Sequence, residues 1–322
     1  GLRPRSVEEI LVEKGYLDSA DLEQVQKEVH DVGGREQIAG FQLLELLGRG
    51  AMGAIYKARQ LSLDRDVALR VLDPELADDA TYVETFMNEA RAVARLSHTN
   101  LISGIDVGDD EGVKYLATEF ADGVSLARLL HRGGALDEER AIGIAMQLTR
   151  ALDYAHKNGL VHGDVRPDKV IITEDGVAKL GDLGVARQEV VASDGEGHEL
   201  KGSPDYLSPE QARGLDELTP AADLYGLGAT LFHMLTGTPP FAGDSREAVV
   251  ARHLTEPAAS VKALEPELAD PTAAVVARCL EKAPGQRFES AAALLAALEA
   301  AQAQVQALRA GAAPAPTPAA PA

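Results

Sequence analysis

Apolar positions fall on two periods along this chain, and the change between them divides it. From Phe41 the apolar runs are short and strand-like. Residues 41–47 predict a strand, Ala54-Ile55-Tyr56-Lys57-Ala58 a second, and Asp66-Val67-Ala68-Leu69-Arg70-Val71-Leu72 a third. Residues 101–105 and 115–120 predict two more. One helix interrupts them over residues 81–96, with Phe86, Ala90, Val93 and Ala94 on one side and Glu89 among them. Glu89 is either solvated or paired with Arg70. Near residues 118–122 the spacing becomes three and four. Gly123 precedes a short helix over 125–130, and Ala141, Ile144, Ala145, Leu148, Leu152 and Ala155 form a stripe to be buried. An apolar helix is predicted around residues 223–231, with others over 247–254 and 275–282. A last one runs over 290–308, where Leu294, Leu295, Leu298 and Leu308 face something apolar. The class expected is α+β: a small antiparallel sheet with one main helix over 41–121, then a larger, mostly helical part over 122–300.

The flanks read differently. In residues 1–35, Ser6 with Glu9 makes a capping box ahead of Ile10 and Leu11, Gly15 and Asp18 mark a stop and restart, and Leu22, Val25 and Val29 follow at helical spacing. This predicts a helical hairpin that packs on the next domain or meets a partner. Residues 301–322 hold the end of the last helix and then, from Gly311, an Ala/Pro-rich linker too poor in large apolar residues to build a core. The polar segment 188–201 reads as mobile.

Composition narrows the partners. The net charge of −20 over 322 residues argues against nucleic acid and anionic membrane surfaces, which need a basic footprint. Hydrophobic residues at 45% suffice for a sizeable core. The single cysteine, Cys279, excludes a disulfide framework and a cysteine metal site, and its apolar setting predicts a core position. No apolar run approaches the roughly 18 residues of a membrane span, and no signal-peptide pattern is present. The expectation is a cytoplasmic chain. A membrane segment outside these residues stays open, as does the oligomeric state.

Candidate chemistry concentrates in Val161-His162-Gly163-Asp164-Val165-Arg166-Pro167-Asp168-Lys169-Val170-Ile171-Ile172 and in Gly181-Asp182-Leu183-Gly184 just after it. Carboxylates at adjacent strand ends suit phosphoryl transfer, one orienting a hydroxyl and the other holding a divalent metal. They could equally be loop aspartates that cap turns. Upstream, Gly48-Arg49-Gly50-Ala51-Met52-Gly53 lies between predicted strands, where backbone N–H groups can approach phosphate oxygens without a Cβ in the way. A strand rather than a helix follows, so a nucleotide-covering hairpin fits better than a dinucleotide fold.

Taken in order, these stretches resemble the eukaryotic-type protein kinase family, most closely bacterial serine/threonine kinases, over about residues 41–298. The resemblance rests on the glycine loop, Val67-Ala68-Leu69-Arg70, Glu89, the hinge after Thr118, the loop from His162 and Asp182-Leu183-Gly184. Ser208-Pro209-Glu210 and Asp223 with Arg287 complete it. His162-Gly163-Asp164 also resembles small-molecule kinases of the aminoglycoside phosphotransferase kind, but the last two signals look like protein kinases. The resemblance implies a two-lobed fold that binds ATP or ADP. Leu47, Gly48, Gly50 and Gly53 would cover the nucleotide, Ile55 and Ala68 roof the adenine and Ile171 floor it. Glu119 and Ala121 would offer hinge hydrogen bonds, with Thr118 beside them. Asp164 matches the catalytic base, Asp182 the metal-holding aspartate, and Ser203 the hydroxyl linking catalytic and substrate-binding segments. Glu210 would pair with Arg287 in a buried bond, and Asp223 would tie down the catalytic loop. A protein substrate or partner is implied.

Against that pattern, Arg70 stands where the family has a phosphate-holding lysine, bringing a planar fork in place of a point charge. Lys169 stands where the family has an asparagine that binds a second magnesium. A cation about 4 Å from Mg²⁺ is repelled by roughly 8 kcal/mol at an effective dielectric near 20. Lys169 could instead pair with Asp164 or Asp182, or touch a phosphate. At most one Mg²⁺, through Asp182, is expected. Gly163 replaces an arginine that receives an activation-segment phosphate, and Arg166 replaces the catalytic-loop lysine. Fold-holding residues match and phosphate-handling ones are altered. The expectation is a pseudokinase-like regulatory or scaffolding module with weak or absent phosphotransfer. The alternative is an active kinase with a rewired site that uses Asp164 and Asp182.

Overall fold

The computed structural model describes residues 35–50, 53–183, 203–214 and 218–311. The hairpin expected over residues 1–35 falls almost wholly outside the described residues. The polar segment 188–201 and the tail beyond Gly311 fall wholly outside them. The chain divides into two compact units, residues 1–87 with 105–120, and residues 88–104 with 121–322.

The first unit carries a sheet in the order β1 (Gln37–Ile38), β2 (Phe41–Gly50), β3 (Gly53–Gln60), β4 (Arg65–Leu72), β6 (Val113–Glu119) and β5 (Gly104–Asp110). β1 to β4 pair antiparallel in turn, and β4 pairs antiparallel with β6. Burial alternates along β3 and β4. Tyr56, Ala58, Val67, Leu69 and Val71 point to one face and are buried with Ile38 and Phe41. The residues between them point to the other face. Helices α1 (Pro74–Ala77) and α2 (Ala80–Ala94) follow β4. Asp73 caps α1 by accepting the Glu75 N–H at 2.9 Å.

The strand expected over residues 101–105 is shifted. β5 begins at Gly104, while Leu101 makes an isolated bridge to Leu180 and is buried among the helical unit's apolar residues. The half-buried, acidic sequence of β5 gave no clear alternation to read.

The second unit holds β7 (Gly123–Ser125), α3 (Leu126–Gly133), α4 (Glu138–Lys157), β8 (Val170–Thr173), β9 (Ala178–Leu180), α5 (Pro209–Ala212) and α6 (Pro220–Thr236). After these come α7 (Arg246–Thr255), α8 (Val261–Leu264), α9 (Asp270–Cys279) and α10 (Ala291–Arg309). β7, β8 and β9 form a small antiparallel sheet. The predicted stripe of α4 is buried at every named position. α6 is apolar nearly all round and correspondingly buried from Ala222 to Phe232. α9 starts earlier than the 275–282 pattern suggests, because Pro271 in its first turn favours initiation there, and it stops at Cys279. The Cys279 thiol is fully buried, which pushes its pKa up to about 12.

α10 is long and apolar enough, by length and composition, to cross a membrane. Its many alanines count as apolar although they bury little area. Its stripe of Ala291, Leu294, Leu298, Ala301 and Val305 is buried against the helical core, and it packs along α4.

Candidate active site

The second unit positions the acid–base stretch. After α4 the chain runs through residues 158–166 into a 3₁₀ turn, Pro167–Lys169, and then directly into β8. β8 pairs with β9 so that Val170 faces Leu180. The next pair outward is therefore Lys169 and Gly181, joined by a 2.8 Å bond from the Gly181 N–H to the Lys169 carbonyl. This register brings Lys169 alongside Asp182. The Lys169 Nζ lies 2.7 Å from Asp182 Oδ2 and 3.9 Å from Asp164 Oδ2.

Asp164 has a second cationic neighbour. Arg166 Nε lies 2.8 Å from one Asp164 oxygen and 2.9 Å from the other, and an Arg166 terminal nitrogen reaches Asp168 at 3.1 Å. The order in space is Asp168, Arg166, Asp164, Lys169, Asp182, with carboxylates and cations alternating. All are at least partly open to solvent, with Lys169 17% and Asp182 27% exposed as side chains. Asp182 adopts φ +58°, an uncommon left-handed conformation for a non-glycine residue that aims its side chain at this cluster.

A buried layer holds the loop. Asp223, from the first turn of α6, accepts the Gly163 N–H at 2.7 Å through Oδ1, and the His162 N–H at 2.8 Å through Oδ2. His156 Nε2 meets that Oδ2 at 2.7 Å. The His162 ring accepts the Asp164 N–H at Nδ1, so Nε2 carries the ring proton and donates it to the Gly181 carbonyl at 2.8 Å. His162 thus ties the Asp164 loop to the Asp182 turn. α6 approaches the loop closely at Gly226, where a Cβ would meet the Val165 carbonyl at 2.9 Å. Gln211 adds a bond from Nε2 to the Gly163 carbonyl at 2.6 Å, while its own oxygen takes part in the capping box with Ser208.

Glu210 and Arg287 form the expected buried pair, bidentate at 2.6 and 2.8 Å. The remaining Arg287 donors reach the carbonyls of Glu281, Ala221 and Lys282, and the guanidinium lies over the Tyr225 ring. Ser203 hydrogen-bonds Asp205 at 2.7 Å and caps the 3₁₀ turn Pro204–Tyr206. Burial raises the Tyr206 pKa and lowers that of His233, whose Nδ1 meets the Tyr206 hydroxyl at 2.7 Å.

Within the first unit, the sheet groups most of the expected nucleotide residues. Gly48 pairs with Ile55, Ile55 with Arg70, and Ala68 with Thr118 across neighbouring strands, on the face opposite the Tyr56–Leu69 core. Arg70 is half-buried, Leu47 is exposed, and Glu119 ends β6. The glycine loop has no room for a side chain at Gly53, where φ is +128° and a Cβ would overlap the Val71 carbonyl. Gly50 ends β2 and pairs with Gly53. The Glu89 side chain lies outside the described residues. In the second unit, Ala121 precedes β7, and Ile171 pairs with Ser125 and Lys179.

His156, Gln211 and Asp168 were not singled out from sequence. Gln211 was legible as the last residue of a Ser-x-x-Gln capping box. His156 and Asp168 carry no local signal, because their roles come from partners supplied by α6 and by Arg166. Among the described residues no group of three or more His, Cys, Asp or Glu side chains converges, and the Asp182 carboxylate is engaged by an ammonium.

Comparison with known proteins identifies the family. The family model for the protein kinase domain matches residues 41–298. A probable serine/threonine-protein kinase of Clostridium perfringens is 36% identical over 261 residues, covering 80% of this chain and 38% of that protein. Serine/threonine-protein kinase PknB of Mycobacterium tuberculosis is 36% identical over 266 residues, with 80% of this chain and 42% of PknB covered. The chain thus spans less than half the length of these relatives. The crystal structure of the Mycobacterium tuberculosis PknI kinase domain superposes with a TM-score of 0.66 at 28% identity, covering 82% of this chain and 97% of that one. With its buried Glu210–Arg287 pair, its Asp223-tethered loop and its sheet of glycine-hairpin strands, the chain belongs to the protein kinase family.

Proposed function

We propose that this kinase domain is a pseudokinase-like regulatory module that binds ATP or ADP with little or no dependence on Mg²⁺ and transfers phosphate weakly or not at all. The observation that carries this reading is the Lys169 ammonium, 2.7 Å from Asp182 and 3.9 Å from Asp164. A cation on the metal-holding carboxylate competes with a divalent ion for the same oxygen and repels it. It also supplies positive charge that a nucleotide phosphate can use directly. Asp164 is meanwhile held by Arg166, so its carboxylate is committed to an ion pair rather than free to accept a hydroxyl proton. The Asp223 and Arg287 frameworks are intact, which suits a module whose shape is kept while its chemistry is relaxed.

A second reading, an active serine/threonine kinase with a rewired site, is favoured by one feature. Asp164 keeps a partly exposed carboxylate on a loop fixed by Asp223 and His162. In that reading Asp164 orients the substrate hydroxyl, and Lys169 neutralises phosphate charge in transit.

The two separate in one experiment. ATP binding is measured by calorimetry with and without Mg²⁺, alongside transfer of labelled γ-phosphate to a protein substrate. The pseudokinase reading expects similar affinity in both conditions and no transfer above an Asp164→Asn control. Binding that requires Mg²⁺, with transfer abolished by Asp182→Asn, would sink it in favour of the enzyme.

A further inference from the structure

A cavity of about 420 Å³ opens on the helical unit, and none of its lining residues belongs to the stretches that carry Asp164 and Asp182. Its walls are apolar: Leu136, Leu235, Leu268, Val305 and Leu308. Leu136 enters from the turn before α4, where its N–H donates to the Met234 carbonyl at 2.7 Å. Val305 and Leu308 come from the last turns of α10, and Leu268 from the segment between α8 and α9. Leu308 is 47% exposed, as is Leu264 at 50% just before the rim, so the apolar surface continues outward.

The rim is acidic. Asp137, Glu138, Glu265 and Glu267 line the same opening. Glu138 is held there by the Ala269 N–H at 3.0 Å. The one cation among the lining residues, Arg309, already pairs with Asp137 and, at 2.9 Å, with Glu139. Glu265 and Glu267 are exposed. An apolar well whose rim carries more carboxylates than cations, with Glu265 and Glu267 open to solvent, disfavours an anionic or purely apolar occupant and matches an apolar group flanked by cations. The well has the volume of a side-chain or small-ligand site.

We propose that this cavity is a docking site for a basic, amphipathic peptide segment of a partner protein. A leucine-like side chain would fill the well between Leu136, Leu268 and Leu308, and flanking lysines or arginines would meet Glu265 and Glu267. The site lies outside the residues that the proposed nucleotide chemistry uses, so it operates whether or not phosphate is transferred.

The test uses the whole chain and a fluorescein-labelled peptide, KKRLLKRK, read by fluorescence anisotropy. Saturable binding is expected, weakened about ten-fold or more by the double reversal Glu265→Lys/Glu267→Lys and by Leu308→Glu. A KKRSSKRK peptide should lose a similar amount. All three substituted positions are exposed, so the fold should survive, and circular dichroism checks this. The control Glu289→Lys, at an exposed acid on another part of the unit, should leave binding unchanged. Three results would each overturn the proposal: no binding at millimolar peptide, equal weakening by Glu289→Lys, or undiminished binding of the serine peptide. The last two would reduce the interaction to general attraction by a chain of net charge −20.

Discussion

The Lys169 ammonium and the Asp182 carboxylate are 2.7 Å apart because the β8–β9 register sets Lys169 opposite Gly181, one residue before Asp182. Backbone pairing thus sets the two residues side by side, within reach of this contact. Replacing Lys169 with asparagine keeps a polar side chain but removes the charge. In the Lys169→Asn variant, added Mg²⁺ should tighten ATP binding about ten-fold, equivalent to roughly 1.4 kcal/mol. In the unsubstituted chain the two affinities should agree within about two-fold. Calorimetric titration of both proteins with ATP, with Mg²⁺ and then with EDTA, checks this. An unchanged Mg²⁺ response in the variant would show that Lys169 does not govern metal access.

The Glu210–Arg287 pair is the most deeply buried ion pair among the described residues, with Arg287 only 2% exposed. Truncating either partner strands the other charge in a site that Tyr225 and backbone carbonyls enclose. Arg287→Ala or Glu210→Ala should cost roughly 3–5 kcal/mol. At about 2–4 °C per kcal/mol for a domain of this size, melting should fall by roughly 10 °C. Arg287→Lys keeps the charge but not the fork, and should recover only part of the loss. Thermal melts of the three variants decide it. Equal stability of Arg287→Lys and the parent would mean the bidentate geometry contributes nothing.

Much of this was legible in the sequence, and the reasons differ by element. The β3 and β4 strands announced themselves as short apolar runs beside a glycine turn, although which of their residues would be buried, Tyr56, Ala58, Val67 and Leu69, shows only in the structure. The α4 stripe did so through helical spacing. The Glu210–Arg287 and Asp223 contacts followed from the family resemblance alone, because partners 77 and 61 residues apart leave no local pattern. β5 was misplaced because its side chains are neither clearly alternating nor apolar. The Arg166–Asp164–Lys169–Asp182 chain of charges was only half anticipated. Its residue types were visible, but its order in space depends on the 3₁₀ turn and the β8–β9 register.

Asp223 satisfies the Gly163 and His162 N–H groups, and His156 besides. Asp223→Ala would leave those buried donors without their acceptor, at about 1–3 kcal/mol each before relaxation. The expected readout is local as well as global. Amide hydrogen exchange at residues 162–164 should rise by more than the drop in global stability explains, while the β3 and β4 strands of the other unit keep their protection. Asp223→Asn retains one carbonyl acceptor and should fall between the parent and alanine. Uniform acceleration of exchange across both units would mean that Asp223 supports the fold at large and does not specifically hold this loop.

Acid sensitivity should trace in part to His253. Its ring is fully buried, with Nδ1 2.8 Å from the Tyr225 hydroxyl and the Phe241 ring packed edge-on against it. Lys282 lies over the Phe241 ring, 4.3 Å from its centroid. Burial, and then repulsion from Lys282, lowers the His253 pKa from 6.5 to about 4. The neutral ring is the folded form, so between these values the unfolded chain binds the extra proton. Stability from this group is therefore complete above about pH 6.5 and is lost progressively as pH falls toward 4. The amount approaches roughly 3 kcal/mol at the acid end. His233 is lowered by burial too, and adds loss of the same sign. Urea unfolding of the parent and of His253→Gln at pH 7, 6 and 5 provides the check. The variant should be less stable at pH 7 but lose less between pH 6.5 and 5, a window in which ordinary carboxylates remain largely ionised. Parallel losses in the two proteins would mean that His253 titrates alike in the folded and unfolded chain.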